Sequence, residues 1–486
     1  MVYIGKPSRA CAHCRRRKLR CDLRKEACGQ CVRAGLICTG YRDPDQLRIR
    51  DESQSTKQKA LIGKSRSVVT SSLVDQHVQV PLSEMARAAF FSHYVSGLAK
   101  TYDVLERIGH KSPLDKHLAV SIDAVSLAFF SFQYYSTQAS RFAREQYLSA
   151  LPLVNRAVGT PEVLASDSTL LAVLFLDLFE KIMNNNPRSS DSWMSHVKGA
   201  MALLKFRDSK QLKTYIGLRL SVRLFTNMLI SCVAADSPVP PALIKLRTDL
   251  EPYLDKNDPK WQVSGLVVKY ADLRGAIQNG CLSSPDIIAR AKRLDNEFSS
   301  LLRNLPPSWI YQRIFLPKQS NQALAPYYDV YPDYFTAQTR NVVRIMRILL
   351  NDMIRKNNVD IALDVDHSCF NSFQAQFASR IIDAMAKEIC STGPQFSGVG
   401  NLPHRIDEFS PIRKLHCYTL LFPYYVAGMY ASPEAEVRSW VINQLRFISS
   451  NSSIKNASLV ADMLESAEQP SPWSVYAMLG SYAFAA

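Results

Sequence analysis

The stretch "CAHCRRRKLRCDLRKEACGQCVRAGLIC", residues 11–38, holds six of the eleven cysteines in a chain of 486 residues. Its spacing is Cys11-x2-Cys14-x6-Cys21, then six residues, then Cys28-x2-Cys31-x6-Cys38, so the second half repeats the first at an offset of seventeen. Arg16 and Arg33 correspond under that offset, as do Leu19 and Leu36, which predicts two similar turn-plus-helix units related by an approximate twofold. Each Cys-x2-Cys brings two thiolates within reach of one metal, and the third cysteine returns to it after a short helical segment. A structural zinc takes four ligands in a tetrahedron, so three per half leaves each ion one short. If one cysteine of each half bridges both ions, four terminal and two bridging thiolates supply the eight bonds that two zinc ions require. Soft thiolates favour zinc over magnesium, calcium or manganese, although an iron–sulfur cluster suits the same ligand type. Below about 40 residues a hydrophobic core rarely suffices, so metal binding must supply most of the folding energy of such a module.

Charge follows a different pattern from the thiols. Arg15, Arg16, Arg17, Lys18 and Arg20 lie in the first half, where the second half has Val32, Arg33, Ala34, Gly35 and Ile37. Of the formal net charge of +16, residues 1–66 carry +11, from 17 Lys/Arg against six Asp/Glu. A local basic cluster on a near-neutral body points to a polyanion-binding module. Phosphate contacts give salt-dependent affinity without sequence information, whereas Lys and Arg read guanine O6 and N7 in the major groove. The same run also reads as a nuclear import signal, which is compatible with DNA binding.

These six cysteine spacings, with "RRRKLRCD" between the second and third cysteines, resemble the fungal binuclear zinc cluster transcription factors. The loop between the halves lacks the proline common in that family, and Glu26 stands near its usual place. The resemblance implies two zinc ions held by Cys11, Cys14, Cys21, Cys28, Cys31 and Cys38, with Cys11 and Cys28 as the bridging pair. It also implies double-stranded DNA as partner and CGG-type half-sites. Lys18 and then Arg17 are expected on the bases, with Arg15, Arg20, Arg24 and Lys25 on phosphate and Arg16 in the same DNA-facing set. The expected role is nuclear: regulation of RNA polymerase II transcription with co-regulators or the transcription machinery, over a metabolic or secondary-metabolite gene set.

Residues 41–82 read as a flexible polar linker between a cluster module at 1–40 and a large all-α domain at 83–486. Leu47, Leu61 and Val68 keep a heptad register, but Gln54 interrupts it and Arg50, Lys57, Lys64 and Ser71 leave the companion positions polar. No coiled coil is predicted, so the chain either binds as a monomer or forms a homodimer through the large domain.

From about residue 84 apolar residues recur at helical spacing. The predicted helices are 84–107, 117–136, 138–157, 167–183, 193–206, 212–235, 262–279, 285–303, 334–357, 368–391, 411–430, 433–449 and 453–465, with no convincing sheet. The stretches "WMSHVKGAMALLKFRD" (193–208), "LPPSWIY" (305–311) and "LLFPYYVAGMYA" (420–431) resemble the fungal-specific regulatory domain that accompanies these clusters. Trp193, His196, Gly199 and Leu203 are expected in ordinary helix packing, and Pro423 is expected to kink a buried helix. Cys232, Cys281, Cys369, Cys390 and Cys417 show no metal spacing and read as buried apolar residues. No G-x-S-x-G, G-x-G-x-x-G or H-E-x-x-H occurs, so no residue points to an enzyme. The opening "MVYIGKPSRACAHCRRRK" lacks an apolar signal region, and the longest apolar stretches fall short of the ~20 residues a spanning helix needs, so no membrane anchor is expected. Two rival readings remain: a sensor whose helical domain binds a small apolar metabolite and gates DNA binding, and a zinc-folded scaffold for protein or RNA.

Overall fold

The computed structural model describes residues 8–41, 80–99, 102–109, 114–183, 202–203, 206–207, 209–364, 368–397, 411–452 and 454–480. The chain divides into two compact units, Met1–Gln79 and Val80–Ala486. The linker segment 42–79 and most of the predicted helix 193–206, with Trp193, His196 and Gly199, lie outside the described residues.

In the first unit, helices α1 (Ala12–Arg16) and α2 (Gly29–Arg33) each begin on a cysteine. Cys11 Sγ accepts from the Cys14 N–H at 3.5 Å, and Cys28 Sγ accepts from the Cys31 N–H at 3.4 Å. A thiol in the N-cap position thus satisfies one of the amides that a helix start leaves without a partner. Both helices end alike. Leu19 N–H returns to Cys14 C=O at 2.9 Å and Leu36 N–H to Cys31 C=O at 3.0 Å, the six-to-one bond of a Schellman turn. That turn needs a left-handed residue, which is Lys18 (φ 53°) in the first half and Gly35 (φ 62°) in the second. Leu23 (φ 55°) and Gly40 (φ 76°) repeat the correspondence. The seventeen-residue offset is therefore a backbone symmetry as well as a cysteine pattern.

The second unit is helical almost throughout. Its elements are α3 (Leu82–Ala89, continued by a π turn over Phe90–Val95), α4 (Val104–Gly109), α5 (Lys116–Tyr134), α6 (Thr137–Val158), α7 (Pro161–Leu164), α8 (Asp167–Met183), α9 (Ser209–Leu212), α10 (Tyr215–Ala234), α11 (Pro241–Leu250), α12 (Pro259–Gln278) and α13 (Ser284–Arg303). Strands β1 (Gln312–Phe315) and β2 (Tyr327–Val330) follow, then α14 (Tyr334–Asp364), α15 (Ser368–Ser397), α16 (Pro411–Thr419), α17 (Leu421–Tyr430), α18 (Val437–Ser452), α19 (Lys455–Glu465) and α20 (Pro472–Met478). One continuous core joins them, with α5 packed on α6 and α8, and α14 packed on α13 and α15. Helix α10 is long and apolar enough to span a membrane by composition, but Leu220, Leu224, Phe225, Met228, Leu229 and Cys232 are buried in this core, which accounts for its apolarity. Ion pairs clamp the long helices: Arg347 grips the buried Asp295 at 2.7 and 3.2 Å, and the fully buried Arg344 bonds the partly exposed Glu388, Asn341 and Tyr331 at 3.0, 2.8 and 2.6 Å.

The structure departs from the sequence reading in several places. A two-stranded antiparallel hairpin pairs Gln312 with Val330 and Phe315 with Tyr327, and Arg313 forks onto the buried Asp329 directly opposite. Strands of four residues are too short to show a period of two in the sequence. The predicted helix 84–107 is interrupted between Val95 and Val104, and helices α7, α11 and α20 fall outside the predicted set. The predicted helix 411–430 is broken at Leu420 rather than kinked at Pro423, because the proline sits in the first turn of α17, where its missing N–H costs nothing. Cys232, Cys390 and Cys417 are buried as expected, but Cys281 is exposed in the turn after α12, and the side chain of Cys369 lies outside the described residues.

Candidate metal centre and nucleic-acid interface

The two cysteine-capped helices place their thiols face to face. Cys11 Sγ lies 3.6 Å from Cys28 Sγ and 3.7 Å from Cys31 Sγ, and Cys14 Sγ lies 3.5 Å from Cys28 Sγ. A tetrahedron with zinc–sulfur bonds of about 2.3 Å has edges of about 3.8 Å, so these separations match the edges of a thiolate cage around zinc. Two sets of four close within 4.8 Å: Cys11, Cys14, Cys21 and Cys28, and then Cys11, Cys28, Cys31 and Cys38. Cys11 and Cys28 are common to both sets, which is the bridging arrangement that eight bonds from six ligands demands. They are also the two helix-capping thiols, so each shared sulfur carries an N–H bond that favours its anionic form.

Burial makes the same point energetically. Cys11, Cys14, Cys28 and Cys31 are buried, while Cys21 and Cys38 are half-buried at the margin. Taken as free thiols, Cys14 is pushed up by burial and Cys31 up to about 12, while the Cys14 N–H pulls Cys11 down to about 6. Several thiolates this close are tolerable only around cations, and a coordinating thiol is deprotonated outright.

The second half is anchored by Asp22, whose carboxylate accepts from the Gly29 N–H at 3.0 and 3.1 Å at the start of α2. A Cβ on Gly29 would stand 2.7 Å from Asp22 Oδ2, so any side chain there would have to displace the carboxylate from its bond to the Gly29 N–H. Tyr41 bonds the Arg24 carbonyl and ties the end of the module back onto the inter-half loop.

Arg15, Arg16, Arg17, Lys18, Arg20, Arg24 and Lys25 are all exposed. Arg15 bonds the Ala10 carbonyl and Arg24 pairs with Asp22 at 3.3 Å, which gives these two a role within the module. Among the described residues no ion pair or hydrogen bond engages the side chains of Arg16, Arg17, Lys18, Arg20 or Lys25. At the positions corresponding to Arg15 and Arg20 the second half carries exposed Val32 and Ile37 instead. Sequence reasoning missed the Asp22–Gly29 bond and the left-handed conformation of Lys18; the Lys18/Gly35 correspondence was the available signal for the latter.

The helical unit contains a cavity of about 760 Å³ whose wall includes Trp261, Trp309, Phe335, Phe422, Trp473 and Tyr476. At its polar end Lys260 Nζ lies 4.8 Å from the centre of the Phe335 ring, and burial followed by the charge of Arg223 pulls the lysine down to about 7. An aromatic-lined space with a few charged groups at one end has the character of a small-molecule site.

Two family models match the chain. Residues 9–48 match the fungal Zn(2)-Cys(6) binuclear cluster domain, and residues 104–235 match the fungal specific transcription factor domain. No curated protein and no solved structure matches it. The cluster domain takes two zinc ions, and both families are those of DNA-binding transcription regulators rather than enzymes, with the nuclear setting this implies.

Proposed function

We propose that this zinc-dependent fungal transcription regulator reads CGG-type half-sites in the major groove through Lys18 and Arg17, with Arg15, Arg16, Arg20, Arg24 and Lys25 on the flanking phosphates. Cys11, Cys14, Cys21, Cys28, Cys31 and Cys38 hold the two zinc ions, with Cys11 and Cys28 shared. Residues 1–40 form the DNA-binding module, 41–82 the linker and 83–486 the helical regulatory domain, which directs control of a metabolic gene set through co-regulators in the nucleus. One observation carries the reading. At the left-handed turn after each helix the second half has Gly35, which adopts that conformation freely, whereas the first half has an exposed lysine there. A strained residue held in place where glycine would be cheaper is a sign of function. Titration of the full chain against a CGG duplex and a scrambled duplex at several salt concentrations tests it. Equal affinity for the two duplexes, or for RNA, would remove the sequence-specific reading.

A second reading is favoured by the aromatic cavity: the helical domain binds a small apolar metabolite and gates DNA binding. Enhancement of 8-anilinonaphthalene-1-sulfonate fluorescence, lost in the cavity-filling variant Val342→Trp, supports it. Unchanged fluorescence in that variant overturns it.

A further inference from the structure

A second cavity, of about 400 Å³, opens elsewhere in the helical unit where α5 hands over to α6. It differs in chemistry from the aromatic one. Arg144, Lys181, Lys414 and Lys455 line it, and among the described residues no carboxylate does. Lys181 is buried and bonded to Asp177 at 2.5 Å, but no ion pair among the described residues engages Arg144, Lys414 or Lys455. Arg144 and Lys455 are exposed and Lys414 half-buried, so three cations without an ion-pair partner among the described residues line the opening.

Two buried polar side chains, Gln133 and Ser452, also line it. Gln133, 7% exposed, meets the His93 Nδ1 through its Oε1 at 3.3 Å, and its Nε2 has no partner among the described residues. Ser452, 1% exposed, has a hydroxyl that is likewise without a partner among them. Buried polar atoms are almost always paired, so two orphans in one cavity mark places for groups the protein itself does not supply. The start of α6, a helix of 22 residues, faces the same space through Ser136 and Thr137. Ser136 Oγ satisfies the Ala139 N–H at 3.1 Å, which leaves the first amides of the helix for another acceptor. The chain enters this position through Tyr135 in the left-handed region (φ 53°), an uncommon conformation for an aromatic residue.

We infer that this cavity binds a phosphate dianion, as a small phosphate monoester or as free phosphate, seated at the α6 N-terminus between Arg144, Lys414 and Lys455 with Gln133 and Ser452 as further donors. Three cations and several neutral donors exceed what one carboxylate accepts and suit a group with three strongly accepting oxygens. The volume exceeds that of phosphate alone, and Phe132, Ile182 and Met478 give the remainder an apolar lining suited to a small organic group.

The test uses the zinc-loaded full chain, with inorganic phosphate and glycerol 3-phosphate as probes and chloride at matched ionic strength as control. Thermal melting of the helical signal and calorimetric titration are the readouts. Both probes are expected to raise the melting temperature beyond the chloride control. Arg144→Ala/Lys414→Ala should weaken binding by about 10- to 100-fold, because each charge-assisted bond is a strong one. Lys455→Ala, at an exposed position, provides a second variant that does not disturb the core and should also weaken binding. Arg17→Ala/Lys18→Ala should leave the response intact, which separates this site from the basic module. Tighter binding of glycerol 3-phosphate identifies an ester site, and equal binding a free-phosphate site. A response no larger than that to chloride overturns the inference. So does a response unchanged by Arg144→Ala/Lys414→Ala, in which case the cations merely offset the helix C-termini of α5, α8 and α18 that end at this cavity.

Discussion

Replacing Lys18 by glycine separates stability from recognition, because the structure makes the two effects opposite in sign. Lys18 sits at φ 53° in the turn that closes α1, and its symmetry mate Gly35 sits at φ 62°. A left-handed conformation costs an ordinary L-residue roughly 1–2 kcal/mol, while glycine gives back about 0.5–1 kcal/mol through the greater entropy of its unfolded state. Lys18→Gly should therefore leave the module equally stable or stabilise it by up to about 1.5 kcal/mol, with zinc still bound. DNA binding should move the other way. Loss of one good base contact costs about 1–3 kcal/mol, or about 5- to 150-fold in the ratio of CGG to scrambled duplex. Lys18→Ala keeps the backbone cost and loses the same contact, so the pair of variants should agree in binding and differ in stability. Fluorescence anisotropy across a salt series reads the first quantity, and zinc release during thermal melting reads the second. Undiminished discrimination in Lys18→Gly would refute the reasoning. A uniform loss on both duplexes, with the salt slope reduced by about one, would make Lys18 a phosphate contact.

Three further outcomes are expected. Cys11→Ser and Cys28→Ser each remove a ligand from both metals, so zinc stoichiometry measured with a chromogenic chelator should collapse towards zero and DNA binding should vanish, whereas Cys38→Ser should retain about one ion. Arg347→Ala leaves the nearly buried Asp295 without its bidentate partner, and chemical denaturation should show a loss of about 3–5 kcal/mol, because a stranded buried charge is costly. His416 stacks 3.8 Å from the Tyr334 ring, and burial pulls it down to about 4. Its folded value thus lies below the unfolded value of about 6.5. Stability from this group is complete above about pH 6.5 and is lost as pH falls from there towards 4, by at most about 1.4 kcal/mol per pH unit. Denaturant midpoints of His416→Phe should be flatter across that window than those of the parent chain; equal slopes would remove His416 as the cause.

The helical character of the second unit was legible where helices such as α6 and α13 bury one face against their neighbours, because burial on one face imposes a period of 3.6 on the sequence. What escaped was short or set by other parts of the chain. The hairpin strands have four residues each, and α20 lies beyond the last predicted helix yet buries Trp473 and Val475. Cys281 resembles its buried counterparts in composition, but it falls just past a helix end, where it stays exposed.

For the metal centre the division is sharper. Six cysteines at fixed spacings are a local property of about thirty residues, since ligand count and tetrahedral geometry leave little choice, and so the need for two shared metals could be read before any coordinates. The family resemblance already implies Cys11 and Cys28 as the shared pair, and the folding of the halves onto each other brings them into both sets through their helix-capping positions. Likewise the basic run is visible in the sequence, but its Lys18 becomes distinctive only once the backbone puts it in a conformation made for glycine. The two cavities belong wholly to the tertiary structure. Their walls come from helices far apart in the chain, and no periodicity records which side chains will meet across a space that nothing in the described residues fills.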